Sequence, residues 1–115
     1  MGFGTQSASS ITGTRVLTDE YTAFAGGGQA NAVVVAAFRN YITVVATTND
    51  SVKLPTAVVN LNFFIKNKGV NSMRLFPNET ENFDGLAENA HIDFPAGGVG
   101  MMFVCYTVGV WEVEV

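Results

Sequence analysis

Acidic side chains form the densest group of potential ligands in this sequence. Glu79, Glu81, Asp84 and Glu88 fall within one short polar segment, and hard cations such as Ca²⁺ bind several oxygen ligands at once. The alternating Asp and Asn ligands of an EF-hand loop are missing from this segment. We therefore interpret it as a solvated acidic loop, with calcium binding as the alternative that the sequence leaves open.

The chain has a single histidine, His91, and a single cysteine, Cys105. A lone histidine cannot form a multi-histidine metal site, and no serine stands at a spacing that suggests a Ser-His pair. Cys105 has no second cysteine for an intrachain disulfide and lies in an apolar segment, which is typical of a small core residue. These residues predict no catalytic site, no metal and no cofactor, and therefore a protein that is not an enzyme.

Two glycine-rich segments and one acidic pair also lack the features of a reactive site. The glycines of residues 26–28 are not followed by the Lys-Ser/Thr of a phosphate loop. Those of residues 97–100 lie between predicted strands, where no helix dipole is available to bind an anion. Glu112 and Glu114 are two residues apart on a predicted strand, which favours solubility and edge protection over acid–base chemistry.

Charge and hydropathy limit the kinds of partner. The net charge is −4 and the six Lys and Arg residues are scattered, which argues against nucleic-acid binding. The longest apolar run, residues 32–38, is too short to span a bilayer. The first residues lack the basic start and apolar core of a signal peptide. We therefore expect a protein that is made in a cytoplasm and has no membrane partner.

Low charge combined with high apolarity indicates that this chain buries surface against a partner. Of its 115 residues, 48% are hydrophobic and 14% are charged, against about 25% charged residues in an average domain. A chain of this length is expected to form one core. The balance favours an oligomer or a protein bound to a larger assembly. The alternative is a well-packed monomer with a polar surface of Thr and Asn.

Short β-prone segments separated by turn residues predict an all-β fold. Residues 61–66 and 72–76 are apolar runs joined by Asn and Gly, which is the pattern of a β-hairpin. Residues 41–47 alternate as a strand does, and residues 52–54 predict a short edge strand stopped by Pro55. With the segments that follow, about seven or eight strands predict an antiparallel β-sandwich or jelly roll.

The C-terminal segments are expected to form the centre of this fold. Residues 99–106 are mostly apolar on both faces, which predicts a central strand covered on both sides. In the last predicted strand, the alternation places Trp111, Val113 and Val115 inside and the two glutamates outside. Phe103 and Trp111 are therefore predicted to face the core from adjacent strands.

Residues 1–25 are rich in Gly, Ser and Thr but carry apolar side chains at intervals. Such a segment cannot build a core alone, yet a solvated linker seldom carries these apolar residues. We predict an extended N-terminal arm over residues 1–25 and a β-sandwich domain over residues 26–115; the alternative is a frayed terminus. The arm residues expected to contact a partner or a neighbouring subunit are Ile11, Val16, Leu17, Tyr21 and Phe24.

Six segments carry a family resemblance through their order and spacing. They are Gly-Gly-Gly-Gln-Ala (26–30), Val-Val-Ala-Thr-Thr-Asn-Asp-Ser-Val-Lys-Leu-Pro (44–55), Ile-Lys-Asn-Lys-Gly-Val-Asn-Ser-Met-Arg-Leu-Phe-Pro (65–77), Asp-Gly-Leu-Ala-Glu-Asn-Ala (84–90), Pro-Ala-Gly-Gly (95–98) and Phe-Val-Cys-Tyr-Thr-Val-Gly-Val-Trp (103–111). Together they resemble small β-rich structural proteins of tailed bacteriophages. These occur in the virion as capsid decoration (cement) proteins and as related fibre or head-surface domains.

The resemblance implies a β-sandwich or jelly-roll-like module that has no catalytic residues and is often trimeric. The expected function is capsid decoration, in which a homotrimer binds the major capsid protein across subunit boundaries and stabilises the head. The expected location is the capsid surface of the virion, after synthesis in the cytoplasm of the host bacterium. The alternative is a fibre, spike or carbohydrate-binding β-module on the virion surface.

Overall fold

Ten short strands and no helix form the part of the chain that the computed structural model describes, residues 16–114. The strands are β1 (Thr18–Thr22), β2 (Val33–Val34), β3 (Arg39–Val44), β4 (Ser51–Lys53), β5 (Asn62–Asn67), β6 (Met73–Phe76), β7 (Asn82–Phe83), β8 (Ile92–Phe94), β9 (Gly100–Thr107) and β10 (Val110–Glu114). Sheet A has the order β1-β3-β5-β9-β10-β7, and sheet B has the order β2-β4-β6-β8. The two sheets pack on a shared core, so the prediction of an all-β sandwich is confirmed.

The first six strands alternate between the two sheets. After each pass through sheet B, the chain returns to sheet A beside its previous strand there and parallel to it. Strands β2, β4 and β6 are parallel in the same way. Because parallel neighbours need a long crossover connection, a strand of the opposite sheet serves as that connection here.

Strand pairing is therefore mixed rather than antiparallel as predicted. The pair β7–β10 is also parallel, so five of the eight strand pairings in the described part of the chain are parallel. Between the named strands of residues 16–114, antiparallel pairing is limited to β5–β9, β9–β10 and β6–β8. Each of these pairs includes β8, β9 or β10, which complete the two sheets after the six alternating strands.

The hairpin predicted over residues 61–76 is wrong. β5 lies in sheet A and β6 in sheet B, so the segment between them crosses from one sheet to the other. The buried side-chain amide of Asn67 holds this crossing: Nδ2 donates to the carbonyls of Asn71 (3.0 Å) and Phe94 (3.3 Å), and Oδ1 accepts from the Gly69 N–H (2.9 Å). Neither Asn67 nor Gly69 has the positive φ that the hairpin prediction assumed.

Strand β4, predicted to lie at an edge, lies between β2 and β6. All three of its residues are buried. Its polar side chains have partners in the loops that lie against sheet B, since Lys53 forms an ion pair with Glu79 at 3.1 Å and the Ser51 hydroxyl donates to the Gly28 carbonyl at 2.8 Å. Buried polar groups with partners of this kind are compatible with a central strand.

The sandwich begins before the predicted domain boundary. β1 pairs with β3 over residues 18–22, and Phe24 forms a backbone bridge with Ser51. Residues 18–24 are therefore part of the sandwich, and the boundary predicted after residue 25 moves towards the N-terminus. Residues 1–15 lie outside the described residues, so an arm there stays a prediction.

The core between the sheets contains the aromatic side chains predicted for it. Trp111 and Phe103 are fully buried, and the Trp111 ring packs edge-to-face on Phe63 with centroids 5.6 Å apart. Val113 was predicted to be inside but is 41% exposed. The reason is that β7 pairs with β10 only as far as Trp111, so no strand within the described residues flanks Val113 on that side. Val115 lies outside the described residues.

Replacing Trp111 with alanine should lower the free energy of unfolding by about 3–5 kcal/mol, because a large buried aromatic is removed from a packed core. Val113→Ala, on the same strand but partly exposed, should change it by less than about 1 kcal/mol. Urea denaturation of both variants measures the difference. Equal stability of the two variants would show that the inward register of β10 is misassigned.

Replacing Asn67 with leucine should lower the free energy of unfolding by about 3 kcal/mol or more, because each buried backbone group left without a partner costs about 1–3 kcal/mol. The control is Asn31→Leu, the same substitution at an exposed turn residue, which should change stability by about 0.5 kcal/mol at most. Urea denaturation again gives both values. If Asn67→Leu is as stable as its control, the amide does not hold the crossing.

Candidate functional site

The two sheets differ in what lies on their outward sides. Loop residues lie against sheet B, where the Gln29 side-chain amide donates to the Pro77 carbonyl at 2.9 Å and the Arg74 guanidinium donates to the Gly27 carbonyl at 3.4 Å. Sheet A instead presents outward apolar and aromatic side chains that are half-buried or exposed. We call this surface the outer face; its members are Tyr41, Phe64, Met102, Val104 and Tyr106.

Strand alternation places these side chains on one surface. On β3, Tyr41 stands between two buried residues, and on β5, Phe64 does the same. On β9, Met102 and Val104 flank the buried Phe103. Because successive side chains of a strand point to opposite sides of its sheet, the half-buried residues point away from the core.

The cross-strand register aligns four outward residues into one row. Arg39 on β3 is opposite Phe64 on β5, Phe64 is opposite Met102 on β9, and Met102 is opposite Glu114 on β10. The row runs from a cation through two apolar side chains to a carboxylate. Since neighbouring strands lie about 4.8 Å apart, it spans roughly 14 Å.

Charges of opposite sign lie on the two sides of the outer face. The cationic flank, on β3, β5 and the residue that follows β5, consists of Arg39, Lys66 and Lys68. The acidic flank, on β10, consists of Glu112 and Glu114. The Lys68 ammonium lies 5.0 Å from the centroid of the Tyr41 ring, a cation–π distance. Glu20 on the edge strand β1 is opposite Tyr41, at the margin beyond the cationic flank.

A glycine positions the central aromatic ring of the outer face. Gly100 on β9 pairs with Lys66 on β5, and a β-carbon at Gly100 would overlap the ring of Phe64. The ring therefore lies against the backbone of β9, where a side chain would displace it. An aromatic ring over a strand glycine stabilises a sheet at a point where the glycine itself offers no packing.

Tyr106 connects the outer face to the acidic flank. Its side chain is 55% exposed, and its hydroxyl donates a hydrogen bond to Glu114 Oε2 at 3.3 Å. The charge of Glu114, followed by burial, raises the pKa of the Tyr106 phenol, because ionisation would place two negative charges together. Tyr106 is thus held as a neutral hydrogen-bond donor beside a carboxylate.

The structure separates the predicted contact residues of the arm into two groups. Val16 and Leu17 have side chains that are 59% and 67% exposed, although their carbonyls accept backbone hydrogen bonds from the chain that enters β3. Tyr21 is engaged within the fold through its hydroxyl, and Phe24 through its backbone bridge. Contact with a partner by Val16 and Leu17 stays a prediction, and Ile11 lies outside the described residues.

The acidic residues of segment 79–88 do not converge on one point. Glu79 forms an ion pair with Lys53. A backbone hydrogen bond, followed by the side-chain hydrogen bond from Lys53, lowers the pKa of Glu79. Glu81 is buried and accepts a backbone N–H at 2.9 Å, while the other two carboxylates are exposed. Within residues 16–114, no group of three or more His, Cys, Asp and Glu side chains is placed to hold a metal ion.

His91 and Cys105 both make structural contacts. The His91 ring packs 5.3 Å from the Phe76 ring, and its Nε2 lies 3.3 Å from an Asp93 carboxylate oxygen. Cys105 is fully buried and its thiol donates to the Thr107 carbonyl at 3.1 Å. Burial raises the pKa of this thiol, which disfavours the reactive thiolate.

The sequence contained a signal for half of the outer face. On β5, the polar residues two positions before and after Phe64, Asn62 and Lys66, indicate an outward side that Phe64 shares by strand alternation. On β9, however, the apolar residues on both sides predicted cover on both faces. The structure leaves Met102 and Val104 only half-buried and Tyr106 exposed, so the second face of β9 is a surface.

Comparison of the chain with family models, curated proteins and solved structures finds no match. None of the secondary structure in residues 16–114 is a helix of the length and apolarity needed to cross a membrane. The outer face and its two flanks are accordingly the candidate site that the geometry itself identifies.

Glu114→Gln should lower the pKa of Tyr106 towards the ordinary tyrosine value, because the carboxylate charge is the main cause that raises it. A raised folded-state pKa also means that Tyr106 contributes stability below its unfolded pKa, and that this stability is lost as the pH rises through the folded value. Phenolate absorbance during alkaline titration measures the pKa, with Tyr106→Phe used to assign the signal.

Glu112→Gln is the matched control for this titration, since Glu112 contributes the smallest of the causes that raise the Tyr106 pKa. It should shift the titration less than Glu114→Gln does. An equal shift in the two variants would mean that Tyr106 does not bond specifically to Glu114.

Proposed function

We propose that this chain is a structural virion protein that decorates a bacteriophage capsid. In this role it binds the major capsid protein across subunit boundaries and stabilises the head, acting as a homotrimer as the sequence resemblance implies. It catalyses no reaction and acts by binding to other protein subunits.

The observation that carries the proposal is the composition of the outer face. Aromatic residues, Met and Arg are enriched in the buried centres of protein–protein interfaces, and the row across sheet A contains Arg39, Phe64 and Met102 side by side. Tyr41 and Tyr106 extend the same surface. Phe64 and Met102 are half-buried before any partner binds, so part of their ordering is already complete in the free protein.

The physical role of such a protein is to add interface. A capsid under internal pressure from its DNA fails where the contacts between its subunits break. A rigid β-sandwich that binds two subunits at once adds buried area at that boundary, and both sets of contacts must then break together. Two binding events that are joined in one rigid molecule reinforce each other through effective concentration.

The arm predicted at the N-terminus supplies a means of attachment to the capsid in this proposal. Each apolar side chain that becomes buried on a partner contributes about 1.5–3 kcal/mol before the entropy of ordering is subtracted. Ile11, Val16 and Leu17 are spaced along the chain before β1, where they extend the contact beyond the sandwich.

A chain lacking residues 1–15 should keep a cooperative melt and the β-sheet circular dichroism of the full chain, because β1 and all later strands are retained. It should bind phage heads that lack this protein more weakly than the full chain does. Co-sedimentation with heads of the phage that encodes the chain measures the binding. Ile11→Asp should also weaken binding, whereas Thr12→Asp, which adds the same charge one residue away, should not.

Copy number distinguishes the decoration function from its alternative. Quantitative mass spectrometry of purified virions should find the chain in numbers comparable to the capsid subunits. A handful of copies per virion would instead favour a fibre or spike, and absence from the virion would reject both. Retention on a glycan array, with loss in Tyr106→Ala, would favour the carbohydrate-binding alternative.

A further inference from the structure

The two flanks of the outer face are complementary to each other. The cationic flank carries Arg39 at one end of the cross-strand row, and the acidic flank carries Glu114 at the other. Between them lie Phe64 and Met102, both half-buried. One surface therefore contains a cation, an apolar centre and a carboxylate in line. The outer face of another copy carries the charge opposite to that of each flank.

We propose that copies of this chain associate through the outer face, with the cationic flank of one copy against the acidic flank of the next. This inference rests on the self-association included in the proposed function and specifies the surface that mediates it. The occupant of the outer face is thus a second copy of this chain, and the contact that sets its position is Arg39 of one copy with Glu114 of the other.

The geometry favours identical copies because each flank of one outer face finds the opposite charge on the outer face of a neighbouring copy. Two different patches meeting head to tail form a heterologous contact, which closes into a ring when the rotation between copies allows it. Three outer faces turned towards a common axis bring each cationic flank beside an acidic flank and place the apolar centres near the axis. This arrangement fits the homotrimer of the proposed function.

Charge and apolar contact have separate roles in this interface. Burial of Phe64 and Met102 provides most of the affinity, because apolar area removed from water dominates association. The charged flanks fix the register and the direction, since like charges brought together in a wrong arrangement oppose binding. Exposed single ion pairs contribute little to the free energy of association. The main effect of the flanks is therefore to determine how two copies are positioned against each other.

The Phe64 ring also supports a contact of defined geometry. Because it lies against the backbone at Gly100, the centre of the outer face is preorganised. Beside this centre, the Lys68 ammonium lies over the Tyr41 ring, and the Tyr106 hydroxyl donates a hydrogen bond to Glu114. These contacts hold the side chains next to the centre in place. Preorganised surfaces lose less side-chain freedom on association. A small surface is then enough for one copy to bind another.

Reversal of single charges provides the test. Sedimentation equilibrium of the full chain should show a concentration-dependent oligomer. Arg39→Glu and Glu114→Arg should each weaken its association by about tenfold or more, because like charges then meet in every contact. The double variant with both reversals restores opposite charges and should return to within about threefold of the unaltered chain.

Two further variants separate the interface from general charge and folding effects. Glu88→Arg makes the same charge change as Glu114→Arg at an exposed loop residue and should leave the association unchanged. Met102→Asp places a charge at the apolar centre and should abolish association without rescue by either reversal. Thermal melts of every variant, followed by circular dichroism, establish that the sandwich is folded.

The outcomes that reject the inference are distinct from those that reject the proposed function. A chain that is monomeric at all concentrations, or an oligomer indifferent to the charge at positions 39 and 114, overturns association through the outer face. A double variant no better than the single reversals does the same. None of these results depends on capsids, whereas decoration is tested by the copy number in virions.

Discussion

Buried side-chain amides make the crossing between the two sheets possible. A chain that moves from one sheet to the other leaves backbone groups without ladder partners, and each such group must find another partner when buried. At the crossing into β3, Asn40 accepts from the Ala37 N–H at 2.9 Å and donates to the Ala37 carbonyl at 2.8 Å. The Tyr21 hydroxyl donates to Asn40 at 2.9 Å, and Asn67 has the equivalent role after β5. The alternating topology depends on these amides.

That topology in turn creates the outer face. Because β3 returns parallel beside β1 and β5 beside β3, the cations at the start of β3 and at the end of β5 fall at one side of sheet A. The antiparallel pair β9–β10 then adds its carboxylates at the other side. Arg39 and Glu114 are far apart in the sequence and in line across the sheet. The placement of the cationic and acidic flanks on opposite sides of the outer face is thus a consequence of the strand order, and no short sequence motif encodes it.

The two large aromatic residues that carried a periodic signal were predicted well, and residues whose role depends on threading were not. Trp111 and Phe103 follow strand alternation, and both are buried as expected. Asn67 and Gly69 have the composition of a hairpin turn, yet side-chain hydrogen bonding to a crossing chain uses the same residue types. Strand β4 was predicted at an edge because it is short and ends at a proline. Which strands become neighbours is a long-range property, and local composition does not contain it.

The same threading places the N-terminal segment next to the surface proposed for association. Residue 16 precedes β1, and β1 borders β3, which carries Arg39. The chain before β1 therefore enters at the cationic side of the outer face, where Val16 and Leu17 expose their side chains. The two proposals, contact of Val16 and Leu17 with a partner and association through the outer face, therefore concern the same side of sheet A.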